Sequence, residues 1–165
     1  MALARNDGRQ GFPNFPAWVI ETMRRRGRVV IRSQGRSMQP AIPDGAFVEV
    51  RPVAFDELVT GDIVVYHYAG EVFCHRFIRK AGRFCILKGD TLLAADPPVA
   101  WEQVIGRVVT LIDCGTRLIP LDSPGQRRRA AWRARATYLY ALLYHIGRVL
   151  VRGLNWSRGI RLPGD

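Results

Sequence analysis

The chain has 165 residues, 48% of them hydrophobic, and a formal net charge of +11. That length suits one domain with appendages, and the apolar content is enough to fill a core, which argues against wholesale disorder. Three cysteines, Cys74, Cys85 and Cys114, show no short paired spacing, so a disulfide framework and a Cys-rich zinc site are disfavoured and a reducing compartment is the plainer reading.

The charge is unevenly placed. Residues 1–28 carry six Arg against two acids, residues 29–126 are close to neutral, and residues 127–165 carry nine Arg against Asp165 alone. A near-neutral globule between two basic arms is expected, with the arms and not the globule meeting anionic partners.

In chain order, residues 1–16 read as a flexible lead rich in Gly, Pro, Asn and Arg. Residues 17–26 predict a short helix with Trp18, Val19 and Met23 on one side, ended by Gly27. From residue 28 the period changes. β-rich runs at 29–31, 47–50, 62–68, 72–78, 83–87 and 104–109 are separated by turn residues, among them Pro43-Asp44-Gly45, Thr60-Gly61-Asp62, Ala69-Gly70, Ala81-Gly82 and Asp96-Pro97-Pro98. A last strand over 116–121 precedes Pro124-Gly125. Many short strands with close turns predict a mainly β domain of coiled, barrel-like sheet. The boundaries follow: a basic N-terminal arm with a short helix over 1–28, a β-domain over 29–122, and an Arg-rich amphipathic helical tail over 123–165.

In the tail, Trp132, Leu139, Leu142, Leu143, Ile146, Val149 and Leu150 fall on one side at about 100° per residue, with Arg133, His145, Arg148 and Arg152 opposite. Two readings stand: a helix packed on the β-domain, or a helix lying on an anionic membrane surface through residues 127–161, where Trp132, Tyr138, Tyr140, Tyr144 and Trp156 are interface-preferring types. A nucleic-acid arm is the weakest alternative. Phe12 to Ile20 is interrupted by Pro13, Asn14 and Pro16, and the uncharged run 136–147 is too short to span. The expectation is a cytoplasmic or peripherally membrane-associated chain without signal peptide or spanning helix.

The chemistry concentrates in three places. Gly35-Arg36-Ser37-Met38-Gln39-Pro40 sets a serine in a glycine-flanked turn, His75-Arg76 follows on a later strand, and Lys88-Gly89-Asp90 lies just beyond, with Asp96 further on. Serine needs a base to attack a carbonyl at neutral pH, and the base needs a third group to hold its tautomer. An imidazole, with an unperturbed pKa of about 6.5, suits that task. Alternation along 72–78 puts His75 on a side with Phe73 and Phe77 and turns Cys74 away. Asp90 and Asp96 are both candidates for the orienting acid. Asp44 and Asp62 sit beside Gly in turns and read as structural; His67 and His145 read as surface residues. No phosphate loop and no metal-ligand spacing is present, so no cofactor is implied.

Together Gly35-x-Ser37-Met38-x-Pro40, Gly61-Asp62-Ile63-Val64, His75-Arg76-Phe77-Ile78, Lys88-Gly89-Asp90 and Ile105-Gly106-Arg107-Val108 resemble the signal peptidase I family, whose superfamily includes the self-cleaving LexA-type repressors. The resemblance covers roughly residues 30–109. In the bacterial and mitochondrial branch a lysine precedes the Arg of the third block; this chain has His75 there, as do the endoplasmic-reticulum, archaeal and spore-former enzymes. The resemblance implies a serine endopeptidase with Ser37 as nucleophile and His75 as base. In the His-type enzymes an Asp six positions after the Lys-Gly-Asp aspartate is proposed as the third member, which favours Asp96 and leaves Asp90 to the turn. Gly35, Arg36, Met38 and Pro40 would frame the oxyanion and substrate region, the oxyanion resting on the Ser37 N–H and a neighbouring donor. Two departures stand out. Many of these enzymes read Ser-Gly-Ser-Met, so Gly35 lacks the hydroxyl that assists there, and the N-terminal membrane anchor is missing. The expected partner is an extended peptide in a secreted or dedicated precursor. The alternatives are a catalytically silent peptide-binding module with basic arms and a LexA-like self-cleaving regulator; the second is weakened because residues 1–28 are too short for a helix-turn-helix domain and the arm shows no obvious Ala-Gly cleavage site.

Overall fold

Ile63-Val64-Val65-Tyr66 is a continuous apolar run, and a strand of that kind is stable only where both of its faces are covered. The computed structural model, which describes residues 14–113, 117–121 and 123–157, puts this run in the middle of an eight-stranded antiparallel sheet with all four side chains buried. The strands are β1 (Val29–Arg32), β2 (Phe47–Arg51), β3 (Ile63–Tyr68), β4 (Glu71–Ala81), β5 (Phe84–Lys88), β6 (Val99–Ala100), β7 (Val104–Asp113) and β8 (Arg117–Pro120). Their spatial order is β1-β2-β7-β3-β4-β5-β6, with β8 paired to β7.

The two faces of β3 serve two separate cores. Ile63 and Val65 join Val29, Ile31, Val48, Val50, Val108 and Leu111, whereas Val64 and Tyr66 join Leu58, Phe77, Cys85, Leu87 and Val99. Register breaks at Glu49/Val50, Val65/Tyr66 and Phe77/Arg79 are bulges, which add local twist and coil the sheet. The expected coiled, mainly β architecture is therefore the observed one, and its path is an open series of pairings.

Helix α1 (Phe15–Arg26) starts with a proline in its first turn and ends where Gly27, at φ 63°, donates its N–H to the Met23 carbonyl, the left-handed cap that glycine adopts without a Cβ penalty. Val19 and Met23 are buried in the β1–β2 core. This corrects the boundary expected at residue 28: the apolar side of α1 is part of the β-domain, so the short helix does not belong to a separate arm. Residues 1–13 of the expected flexible lead lie outside the described residues. The 99–103 segment, for which the sequence predicts no element, forms β6 and a turn of 3₁₀ helix because Val99 and Ala100 complete the free edge of β5. Of the last expected strand, 117–120 is seen in β8, while Thr116 and Cys114 lie outside the described residues.

Helix α2 (Pro124–Ser157) leaves the sheet after β8. Only its first turns pack down. Ala134 is fully buried, and the Ala130–Ala131 backbone comes so close to Gly61 that a Cβ there would meet the Ala131 nitrogen at 2.4 Å. Beyond this root Trp132, Leu139, Leu142, Leu143 and Ile146 are exposed. The helix is thus packed at its start and apolar but uncovered further along. The side chains of His145 and of 148–157, which include Val149, Leu150 and Trp156, are not among those described, nor are residues 158–165. Among the described residues no helix is long and apolar enough to cross a membrane.

Gly61 adopts φ 100° with the α2 backbone against it, while Gly70 adopts φ 82° and a Cβ added there would meet nothing within 4 Å. We expect Gly61→Ala to lower the urea-unfolding free energy by about 3 kcal/mol, left-handed strain and a backbone clash together, and Gly70→Ala by about 1 kcal/mol from strain alone.

Candidate active site

Two loops and two strands converge around Ser37 and His75. The first loop joins β1 to β2 and carries Ser37. Ser33 donates its N–H to the Ala46 carbonyl and Gly45 its N–H to the Ser33 carbonyl, closing the base of the loop. Gly35 donates its N–H to Asp44 Oδ1 at 2.9 Å, which gives Asp44 a turn-holding role. Met38 and Ile42 are buried in the β1–β2 core, so the tip is anchored from below while Arg36 stays exposed and Ser37 half-buried. The Gln39–Pro40 bond is cis.

Strand β4 supplies the histidine. Its register sets His75 opposite Val64 and Arg76 opposite Ile63, and successive strand residues face opposite ways. His75 is 6% exposed, beside the rings of Phe73 and Tyr66 at centroid distances of 6.3 and 6.2 Å. Its Nδ1 lies 2.6 Å from Asp96 Oδ2 and its Nε2 lies 3.1 Å from Ser37 Oγ. A carboxylate only accepts, so Nδ1 carries the proton and donates to Asp96; Nε2 then has a lone pair and accepts from the Ser37 hydroxyl. The three groups form a continuous hydrogen-bonded chain from carboxylate to hydroxyl.

Asp96 lies between β5 and β6, and its N–H donates to the Leu87 carbonyl at 2.9 Å, which fixes the loop just before Pro97-Pro98. The same Oδ2 that accepts from His75 also accepts from the Tyr66 hydroxyl at 3.0 Å. Burial, then the Asp96 charge, push the Tyr66 phenol well above its ordinary value, so it remains a proton donor at any physiological pH. Sequence reasoning misses Tyr66. The signal that could have found it is its place on β3: it pairs with Phe73 and so shares the sheet face of His75.

Asp90, the other candidate acid, is corrected: it faces Arg76 and not His75. Arg76 Nε and Nη2 each donate to one of its carboxylate oxygens at 2.6 Å, and Nη1 donates to the Gly61 carbonyl at 2.8 Å. The cause is strand alternation, since Arg76 projects to the side opposite its neighbour. The Asp90 turn supports the serine loop all the same: Thr91 donates its N–H to the Ser37 carbonyl at 3.0 Å and its hydroxyl to the Arg36 carbonyl at 3.1 Å. Gly89 is packed so closely that a Cβ would stand 3.0 Å from the Ser37 carbonyl oxygen. Pro40 lies away from this chain of hydrogen bonds, lining a cavity toward α2.

Lys88 is 2% exposed and donates to the Gly89 carbonyl at 3.0 Å; burial lowers its pKa, against the pull of Asp90 and Asp96. Burial pushes the Cys74 thiol up to about 12, and a thiol that keeps its proton is a poor rival nucleophile. Asp62 is bound by the Val59 N–H at 3.2 Å and lies 3.4 Å from Arg107 and 3.5 Å from Arg127 of α2. Among the described residues no three His, Cys, Asp or Glu side chains are grouped as a metal ion requires.

His75 separates two clefts. One of about 110 Å³ runs past Ser33, Gly35, Ser37, Val72 and Phe15; the other, of about 280 Å³, is lined by Tyr66, Tyr68, Leu92 and Pro97. A chain laid across the serine would reach both.

Residues 7–109 match the model of the Peptidase S24-like family. That match spans more than half of the chain, and the protein belongs to this family, within the superfamily of LexA-type and signal peptidases. Membership gives it the class of a serine-peptidase-type hydrolase. No curated protein matches the chain.

Arg76 is buried with Asp90 as its counter-charge. Asp90→Asn leaves that guanidinium uncompensated, and we expect a loss of about 3 kcal/mol in urea-unfolding free energy, with a larger loss than for Asp44→Asn in the exposed part of the loop.

Proposed function

We propose that the protein is a serine endopeptidase of the signal-peptidase-like kind, acting on an extended segment of a secreted or dedicated precursor with Ser37, His75 and Asp96 as its catalytic residues. The observation that carries this reading is the Ser37 Oγ–His75 Nε2 and His75 Nδ1–Asp96 Oδ2 hydrogen-bond chain, with separations of 3.1 and 2.6 Å.

In this reading Ser37 Oγ attacks the scissile carbonyl carbon as its proton passes to His75 Nε2. Asp96 stabilises the imidazolium so formed and holds the ring in the tautomer that can accept. His75 then hands the proton to the leaving amine, the C–N bond breaks, and an acyl ester remains on Ser37. Water, giving one proton to His75, attacks the ester carbonyl; His75 passes that proton to Ser37 Oγ as the C–O bond breaks, and the new carboxylic acid leaves. The developing oxyanion rests on the Ser37 N–H and a neighbouring donor from the Gly35–Arg36–Met38 turn, without a side-chain hydroxyl at Gly35. Tyr66 is a positioning residue: it holds Asp96, and Asp96 holds His75. Substrate would lie extended, its main chain hydrogen-bonding to the protein and its side chains dropping alternately into the two clefts beside His75.

One observation favours a self-processing reading as well. Phe15, at the start of α1, lines the same cleft as Ser37, so the chain enters the first helix next to the nucleophile. Cleavage in cis would remove mass from the N-terminus at a rate independent of protein concentration.

One intact-mass experiment tests both. With a fluorophosphonate acylator at pH 6–9, wild type gains a single adduct at Ser37 and Ser37→Ala gains none. Asp96→Asn slows acylation by roughly 10³-fold or more, and Tyr66→Phe, which removes one hydrogen bond to a carboxylate, by roughly tenfold. A folded wild-type protein that is never acylated, or a Ser37→Ala variant acylated at the same rate, overturns the catalytic assignment. Concentration-independent loss of N-terminal mass in wild type alone selects the cis reading.

A further inference from the structure

The catalytic reading leaves the surface around the root of α2 unused. Where α2 meets the sheet edge, a groove of about 600 Å³ is lined by Arg79 and Lys80 of β4 and by Arg127, Arg128 and Arg135 of α2, with no acidic side chain in its wall. Asp62 faces Arg127 at 3.5 Å and is shared with Arg107 at 3.4 Å. Among the described residues the other cations have no such partner: Arg79 donates to the Lys80 carbonyl and Lys80 to the Asp56 carbonyl, neutral acceptors that leave the charges uncompensated. Helix α2 itself contains no Asp or Glu over 124–157.

The same side of α2 then changes character. At 3.6 residues per turn, Arg128, Trp132, Arg135, Leu139, Leu142, Leu143 and Ile146 keep to one side of the helix, turned away from buried Ala134. Trp132 is 72% exposed, Leu143 58% and Leu139 56%. A cationic groove at the helix root thus leads directly into an uncovered apolar stripe. Exposed apolar side chains scattered singly need no explanation, but a contiguous stripe marks an interaction surface.

We propose that this surface docks on an anionic lipid bilayer, headgroup phosphates seating among Arg79, Lys80, Arg128 and Arg135 while Trp132 and the Leu139–Ile146 stripe sink to the headgroup–acyl boundary. Charge and polarity together select this occupant. A second copy of the chain would bring the same cations against its own, a repulsive pairing. A purely apolar partner leaves the groove uncompensated. A bilayer surface offers many phosphates in a plane beside an apolar phase, which is what a helix with arginines and apolar residues on one side matches. The absence of a spanning segment among the described residues fits a helix that lies on the surface. This inference does not rest on the catalytic one, since no residue of the Ser37–His75–Asp96 chain takes part.

The test is co-sedimentation of the full chain, as wild type and as Ser37→Ala, with vesicles of phosphatidylcholine alone or mixed equally with phosphatidylglycerol. Both proteins are expected to partition at least tenfold more strongly onto the anionic vesicles. Raising salt from 0.1 to 0.5 M weakens binding and leaves an apolar component of it. The triple variant Arg79→Gln, Arg128→Gln, Arg135→Gln loses at least tenfold in affinity for anionic vesicles, and Leu139→Asp with Leu143→Asp abolishes the salt-resistant part; far-UV circular dichroism checks that each variant is folded. Equal binding to both vesicle types, or no binding by folded wild type, overturns the proposal. Concentration-dependent dimerisation abolished by the Leu139→Asp, Leu143→Asp pair overturns it too, and assigns the stripe to a second copy.

Discussion

Arg76 and Asp90 form the interaction on which the site's geometry depends. The guanidinium is buried, gives two hydrogen bonds to one carboxylate and a third to the Gly61 carbonyl, and so ties β4, the turn after β5 and the turn before β3 into one rigid corner. The same turn after β5 holds the Ser37 carbonyl through Thr91. Because Arg76 is the neighbour of His75, the side chain that locks the scaffold and the side chain that faces the serine are set by a single stretch of backbone. A shift of β4 in register would move both at once, and reverse the faces they occupy.

On the opposite face the polar groups form a second, smaller arrangement. Asp96 Oδ2 receives both the His75 and the Tyr66 hydrogen bonds, in a pocket walled by Phe73 and Val99. Hydrogen bonds to a charged acceptor are worth more in such surroundings than in water, and a buried carboxylate that lacked them would be costly. The two carboxylates are thus divided by the sheet: Asp90 neutralises a permanent cation, and Asp96 faces a ring that can gain and lose a proton.

Much of this was legible in the sequence, for reasons that can be stated. The strands showed because β-branched runs were punctuated by Gly and Asp turns, and α1 because Gly27 and its preceding arginines mark a helix end. Ser37 and His75 were readable because residue type and order are local properties; between Asp90 and Asp96 the residues alone left a choice, and only the family resemblance favoured Asp96. The partner of Asp90 was not readable, since a bidentate ion pair between residues 76 and 90 is a matter of which face each occupies once the sheet has formed. Tyr66 was hidden for the same reason: in the sequence it is one more aromatic in an apolar strand, and its hydroxyl matters only because β3 lies beside β4. The edge pairing of Val99–Ala100 is two residues long, too short for any period to register. The place of α1 in the core was obscured by its arginines, which drew it toward the basic lead although Val19 and Met23 face inward.

The cysteine next to the proposed base has a consequence for where such chemistry can run. Cys74 lies one residue from His75, yet its side chain is turned to the other face and its thiol is pushed up to about 12. Such a thiol keeps its proton at neutral pH, and peroxide, disulfides and electrophiles react with the thiolate. A sulfur one residue from the proposed base, half-buried and lining the Ser37 cleft, is therefore slow to react with oxidants at neutral pH, and the hydroxyl, the imidazole and the carboxylate keep a neighbour that stays a neutral thiol.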